Sequence, residues 1–215
     1  MVFNETKLAQ LDRITRLNII NSISGIKPGN LIGTKSKQGQ NNLAIMSSAV
    51  HLGSDPALIG LILRPQLSKT TDTYRNIIET RFYTMNHIPK SMIANAHYTS
   101  AKFPSEVSEF DRCSIDEEMK NDFYAPFVKE SPLKIGLEFV QENPISLNDT
   151  ILVIGKVKYI EFADRAINDE GSIDLENIGS TGISGLNHYY SLQKIQSLPY
   201  AHLDPVSYTH LRAHE

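Results

Sequence analysis

Residues Asn42–Pro56 read NLAIMSSAVHLGSDP, and Ala57–Pro65 continue as ALIGLILRP. The spacing predicts two β-segments joined by a bend rich in small residues and hydroxyls. In the first, Asn42, Ala44, Met46 and Ser48 fall on one face and Leu43, Ile45 and Ser47 on the other, because successive side chains alternate along a strand. The second is almost wholly apolar, the composition expected of a strand covered on both faces. Ser47, Ser48 and Ser54 then lie at or beside the end of a core strand, with Gly53 letting the backbone approach a neighbour closely. Hydroxyls there serve no packing purpose, whereas hydroxyls with free backbone N–H groups make an anion cradle. The plain alternative is a hairpin end in which Ser and Asp make local turn bonds.

Working outward, Leu8, Leu11, Ile14, Leu17 and Ile20 recur at three- to four-residue spacing, predicting one amphipathic N-terminal helix that stops near Gly25. Asn30–Lys35 reads as a strand, KQGQN as a hairpin turn. Thr71–Thr80 fits a short helix capped by Thr71 or Asp72, with Tyr74, Ile77 and Ile78 inward. Arg81–Ile88 alternates as a strand closed by Pro89. Residues 91–127 are polar and irregular, an insertion of the kind that often lids a site. Leu133–Val140 and Thr150–Phe162 predict a hairpin with Asn-Pro and Asn-Asp turns, and the stretch after Ile183 a loop and a short helix. About six antiparallel strands with peripheral helices favour a closed or split barrel over a parallel α/β sheet.

Composition narrows the function. With 215 residues, 40% hydrophobic and 21% charged, one globular domain is the expectation. A net charge of −3 gives no electrostatic reason to expect nucleic acid or an anionic membrane. The longest apolar runs are far below a membrane span, and the N-terminus lacks a secretory apolar region, so a cytoplasmic protein is expected. One cysteine, Cys113, leaves no internal disulfide or thiolate cluster. Residues 1–203 are expected to form the domain. The last twelve, DPVSYTHLRAHE at 204–215, share neither pattern nor composition with the rest, and resemble a translated cloning scar. His210 and His214 mimic a metal pair at i, i+4, but two ligands do not make a site, and no metal is expected.

Gly39–Pro56 together with TDTYRNI at Thr71–Ile77 resembles the flavin reductase-like family of FMN-binding split β-barrels. The shared pattern is Gly, Asn-x-Ala, a Ser/Thr-rich strand end, Ser-x-Pro, an apolar strand and a Thr before a short helix. It extends from roughly Ile23 to Ala201. The resemblance implies a mainly β fold with peripheral helices, a Greek-key antiparallel split barrel holding FMN. It places the flavin ring and ribityl arm against Asn42, Met46, Ser47, Ser48, Ala49, Val50 and Ser54. The phosphate is implied at Thr71 or Thr73 beside Arg64, where a helix N-terminus and a guanidinium form a ready anion site. His97, Thr99, Ser100 and Lys102, in ANAHYTSAKFPSEVSEF at Ala94–Phe110, correspond to the segment that runs along the flavin.

The activity so implied is hydride uptake from NADH or NADPH by FMN, then electron delivery to flavin, oxygen or an unknown small acceptor, in a homodimer. No side chain is assigned a catalytic role. Tyr189 and Tyr190 match a family segment near the cofactor or the subunit interface. No Gly-x-Gly-x-x-Gly follows a strand, so a nicotinamide nucleotide would visit from solvent. The alternatives are a non-catalytic FMN-binding or storage protein of this fold, or a ligand-free β-barrel interaction module.

Overall fold

A computed structural model describes residues 1–199 apart from 68, 69 and 121. The expectation of a non-native tail at 204–215 lies outside the described residues.

Two short helices open the chain, α1 (Glu5–Gln10) and α2 (Arg13–Ser22), where one was expected. The break falls at Asp12, whose carboxylate accepts from Ile14 N and Thr15 N and so starts a second helix. Neither helix has a buried residue. The strands β1 (Lys27–Pro28), β2 (Asn30–Lys35), β3 (Asn41–Met46), β4 (Ala49–Ser54) and β5 (Ala57–Leu63) follow. The predicted bend before Ala57 is therefore mostly a strand in its own right, forming a hairpin with β5. After α3 (Asp72–Thr80) come β6 (Phe82–His87), α4 (Ile93–Tyr98), α5 (Glu109–Arg112), β7 (Glu117–Glu118) and β8 (Phe127–Val128). The long hairpin β9 (Leu133–Ile145) and β10 (Thr150–Phe162) and the small hairpin β11 (Thr181–Ser184) and β12 (His188–Ser191) complete it. That last hairpin replaces the predicted C-terminal helix.

Among the described residues, seven strands make one antiparallel Greek-key sheet in the order β3-β2-β6-β9-β10-β5-β4. Its two edge strands, β3 and β4, are separated in the chain only by Ser47 and Ser48. Three residue steps span at most about 10 Å, so the edges must meet at that corner and the sheet must curl. Ile62 N donates to the Ser48 carbonyl at 3.3 Å, and Ser48 Oγ donates to the Ile62 carbonyl at 2.7 Å, tying the corner to β5. The result is the expected split barrel.

Ile32, Leu61, Leu63, Tyr83, Met85, Leu137 and Val153 fill the barrel, and Ile77 of α3 plugs one end. Ile78, expected inward, is 36% exposed; the buried face of α3 is Thr73, Asn76 and Ile77. The insertion packs Met92, Ala96, Phe110, Cys113 and Ile115 on the outer faces of Leu31 and Leu43. It also blunts the exposed edge of β3. Leu43 N donates to Glu109 Oε2 at 2.9 Å and Ile45 N to Thr99 Oγ1 at 3.0 Å, supplying acceptors that a further strand would otherwise provide. Burial of Glu109 raises its carboxyl pKa despite that bond. The segment thus covers the outer side of β3, and its Ser105 and Glu106 line a cleft near α3. The apolar β5 is covered on its inner face by the barrel core, while its outer neighbours Val50 and Leu52 stay 45% and 42% exposed.

Candidate functional site

Ser47 and Ser48 form the corner where the two sheet edges meet. Ser48 is occupied by Ile62, as above, whereas the Ser47 hydroxyl has no partner among the described residues. Met46 packs against the barrel core, and Ala49 and Val50 begin β4 opposite Leu61 and Gly60. Ser54 sits at the other end of β4, facing Ala57, about 17 Å from Ala49 at strand spacing. The corner and Ser54 cannot share one small ligand group.

Arg64 leaves β5 two residues beyond Ile62, exposed and with no ion pair among the described residues. Its carbonyl accepts from Gln66 Nε2 at 2.7 Å. Gln66 Oε1 in turn accepts from Thr71 N at 2.7 Å and from the Thr71 hydroxyl at 3.1 Å. Thr71 is the N-cap of α3, its hydroxyl accepting from Tyr74 N. The N–H groups of Asp72 and Thr73 carry no bond among the described residues, leaving the positive end of the helix open. Asp72 is ion-paired with Arg75, which offsets the carboxylate nearest that end.

Thr73 is differently placed. It is 4% exposed, and its hydroxyl accepts from Asn42 Nδ2 at 3.1 Å. Asn42 also donates to Thr34 Oγ1 at 3.2 Å, and Asn76 Nδ2 donates to the same atom at 3.1 Å. Asn76 is 2% exposed and its Oδ1 has no partner. Leaving such an acceptor unmatched costs on the order of 1–3 kcal/mol. Asn42, Asn76, Arg75, Gln38, Gln40 and Glu106 line a polar cleft of about 380 Å³ beside the helix. Gln66 and Asn76 escaped the sequence reading. The available signal for Asn76 was its polar side chain at i+3 from Thr73, on the helix face that Ile77 takes inward.

His97, Thr99, Ser100 and Lys102 divide. Thr99 is 4% exposed and caps the β3 edge; Ser100 Oγ donates to the His97 carbonyl at 2.7 Å. Lys102 is exposed, with no ion pair among the described residues. His97 Nδ1 lies 2.9 Å from the Tyr189 hydroxyl, and burial raises the pKa of that phenol. The fold therefore gathers Met46, Ser47, Ser48, Ala49 and Val50 at the corner, holds Arg64 and Thr71 on the segment between β5 and α3, joins Asn42 to Thr73 at the other end of β3, and sends Ser54 to the far end of β4. The described residues contain no group of three or more His, Cys, Asp or Glu that could hold a metal ion, and no helix long and apolar enough to cross a membrane.

Residues 26–174 match the model of the flavin reductase like domain. The chain belongs to the flavin reductase-like family. A putative flavin reductase with a split barrel domain from Shewanella frigidimarina is 42% identical, with a TM-score of 0.89 over 94% of this chain and 100% of that one. Nitrilotriacetate monooxygenase component B from Bacillus cereus is 19% identical, with a TM-score of 0.80 over 92% of this chain and 98% of its own. An FMN-binding protein from Thermus thermophilus, solved with bound 1-cyclohex-2-enone, is 15% identical at a TM-score of 0.68, over 81% and 91%. The last two likenesses are of fold. In this flavin reductase-like chain, the Ser47–Ser48 corner and the open end of α3 lie within the matched span.

Proposed function

We propose that this chain is an FMN-dependent oxidoreductase that takes hydride from NADH or NADPH and passes electrons to free flavin, oxygen or another small acceptor. The observation that carries the reading is Asn76 Oδ1, a buried acceptor with nothing to accept from, beside an open helix N-terminus. A ribityl chain brings hydroxyl donors and a phosphate brings the anion, so FMN fits both needs. The Asp72 and Thr73 N–H groups and Arg64 would hold the phosphate, with Lys102 adding charge. Asn76 and Asn42 would meet ribityl hydroxyls. The Ser47–Val50 backbone and the Ser47 hydroxyl would face the ring edge, where donors stabilise the negative charge that reduction builds. Bound FMN would supply the two-electron centre.

Purified protein should be yellow, release FMN in preference to FAD at about one per chain, and bleach when NADH or NADPH is added under nitrogen. A colourless protein that takes up no FMN overturns the reading, and a yellow one that no nicotinamide nucleotide bleaches leaves a binding protein in its place. Ser47→Leu should reduce flavin content while leaving the melting temperature of the apo-protein unchanged, because that hydroxyl bonds to nothing among the described residues.

A homodimer belongs to the same proposal, in a cytoplasmic setting suited to a chain with one cysteine. Val50 and Leu52 on β4, and Ile14 and Ile20 on α2 at 58% and 47% exposure, give apolar surface that a second copy would cover. Light scattering should return twice the chain mass; a monomer at micromolar concentration would refute the assembly.

A further inference from the structure

The two edges of the main sheet are finished differently. On β3 the insertion supplies Glu109 and Thr99 as acceptors. On β4 nothing does so. That strand pairs with β5 alone, and no backbone group of Ala49–Ser54 is bonded elsewhere among the described residues. Its sequence, AVHLGS, has no Lys, Arg, Asp, Glu or Pro, the residues that usually guard an edge. Val50, His51 and Leu52 are exposed in succession, so both faces of the strand are open as well as its rim. Such an edge suits a second copy of itself, because backbone donors meet acceptors and no like charges are opposed.

The register of β4 governs how two copies align. Ala49, Val50 and His51 pair with Leu61, Gly60 and Ile59. Gly53 and Ser54 pair with Leu58 and Ala57, and Leu52 is left over as a bulge. The strand therefore has five rungs, with His51 in the middle. Ala49, His51 and Ser54 oppose alternate residues of β5, so they share one face, the face that Leu61 and Ile59 turn to the barrel core. Two antiparallel strands related by a two-fold axis must pair one residue with its own copy, since opposed side chains lie on the same face. With all five rungs used, that residue is His51, and Ala49 stands opposite Ser54 of the partner subunit.

We propose that β4 pairs with β4 of a second copy about a two-fold axis at His51, and that Ser54 of the partner subunit completes the Ser47–Ser48 corner, an inference resting on the flavin and homodimer readings above. Within one chain the Ser54 hydroxyl is exposed, bonded to nothing among the described residues, and about 17 Å from Ala49. Across the axis, opposed Cα atoms stand about 4.5–5.5 Å apart, which brings Ser54 of the partner subunit beside Ala49, the residue after Ser48. The same pairing covers Val50 and Leu52, 45% and 42% exposed on the outer face.

Oxidation of His51→Cys tests the pairing without flavin. The Cα separation falls within the span of a disulfide, so the variant should run as a covalent dimer on a non-reducing gel. Leu147→Cys, 95% exposed on the turn of the β9–β10 hairpin, should stay a single-chain band, as should the unsubstituted protein with its buried Cys113. Subunit mixing tests the residue that crosses. Ser47→Leu and Ser54→Leu should each lose FMN as homodimers. Co-expressed, they should regain about a quarter of the unsubstituted flavin content, because half the dimers are mixed and one of the two sites in each carries neither substitution. Residues acting only within their own chain would regain nothing. A monomer, a His51→Cys variant that forms no disulfide, or no recovery on mixing would each overturn the proposal. Unsubstituted protein that takes up no FMN removes the flavin reading and the part given to Ser54, while the His51→Cys gel still decides the pairing.

Discussion

Gly33→Ala should cost about 3 kcal/mol or more, a fall of roughly 6–12 °C in melting temperature for a domain of this size. Gly33 lies on the outer face of β2, opposite Leu43 and Thr84. A Cβ there would overlap the Pro126 carbonyl oxygen and stand 2.5 Å from Thr84 Oγ1. Neither neighbour can yield cheaply. Thr84 Oγ1 already donates to the Pro126 carbonyl at 2.6 Å, and Val128 N donates to Asn86 Oδ1 at 3.0 Å. Ala125, Phe127 and Val128 are fully buried, so lifting this segment opens a packed layer as well as two buried hydrogen bonds. Gly53→Ala is the control, since a Cβ there would meet only the Pro56 carbonyl at an ordinary 3.5 Å. Thermal unfolding of the two variants decides the matter. A Gly33→Ala melting temperature equal to that of Gly53→Ala would show that the 125–128 crossing is not packed against β2 as described.

The same region shows what was legible in the sequence. Alternation over Asn42–Ser48 correctly separated Asn42 and Met46, inside the barrel, from Leu43 and Ile45, under the insertion, because both faces of β3 are covered by chemically different layers. The Asn-Pro pair at 143–144 was expected to turn the chain, yet Pro144 lies within β9 opposite Ile151. Beyond Glu138, β9 has left β6 and pairs only with β10. A proline without an N–H is tolerated on such a one-sided stretch. The C-terminal hairpin was missed because its strands are four residues each, too short to show a period.

For the candidate site, residue type singled out the Ser47–Ser48 corner but could not say which hydroxyls were engaged within the fold. Ser48, Thr73 and Thr99 are each engaged in bonds that hold the fold, while Ser47 has no partner among the described residues. That distinction depends on long-range partners such as Ile62 and Ile45, which no local pattern encodes. Ser54 was grouped with the corner because residues 49–54 were taken as a bend; as a strand, they carry it to the far end of the hairpin.

The last expected result is acid lability. The apo-protein should lose about 3 kcal/mol of stability as the pH falls from 6.5 to 4, before most carboxylates titrate. The cause is His87, on the barrel side of β6 and 9% exposed, whose Nδ1 lies 2.9 Å from the buried Ser180 hydroxyl. Burial lowers its pKa from 6.5 to about 4. Between those values the unfolded chain binds a proton that the folded chain refuses, so stability is full above pH 6.5 and declines as the pH falls toward 4. A second decline follows below pH 4.5. Glu161 is held down at about 2, by the Tyr159 hydroxyl first and then by Lys120 and Lys134, and Glu118 is lowered by its hydrogen bonds from Lys120 and Lys134. Both carboxylates stabilise the fold above their unfolded pKa and lose that contribution as acid protonates them. Urea titrations from pH 7.5 down to 3 should therefore show two limbs. His87→Gln should flatten the upper limb, at some cost in stability at pH 7.5, and leave the lower one in place. Stability that holds level from pH 7 to 4.5 in the unsubstituted protein would mean that His87 is not buried and neutral in the fold.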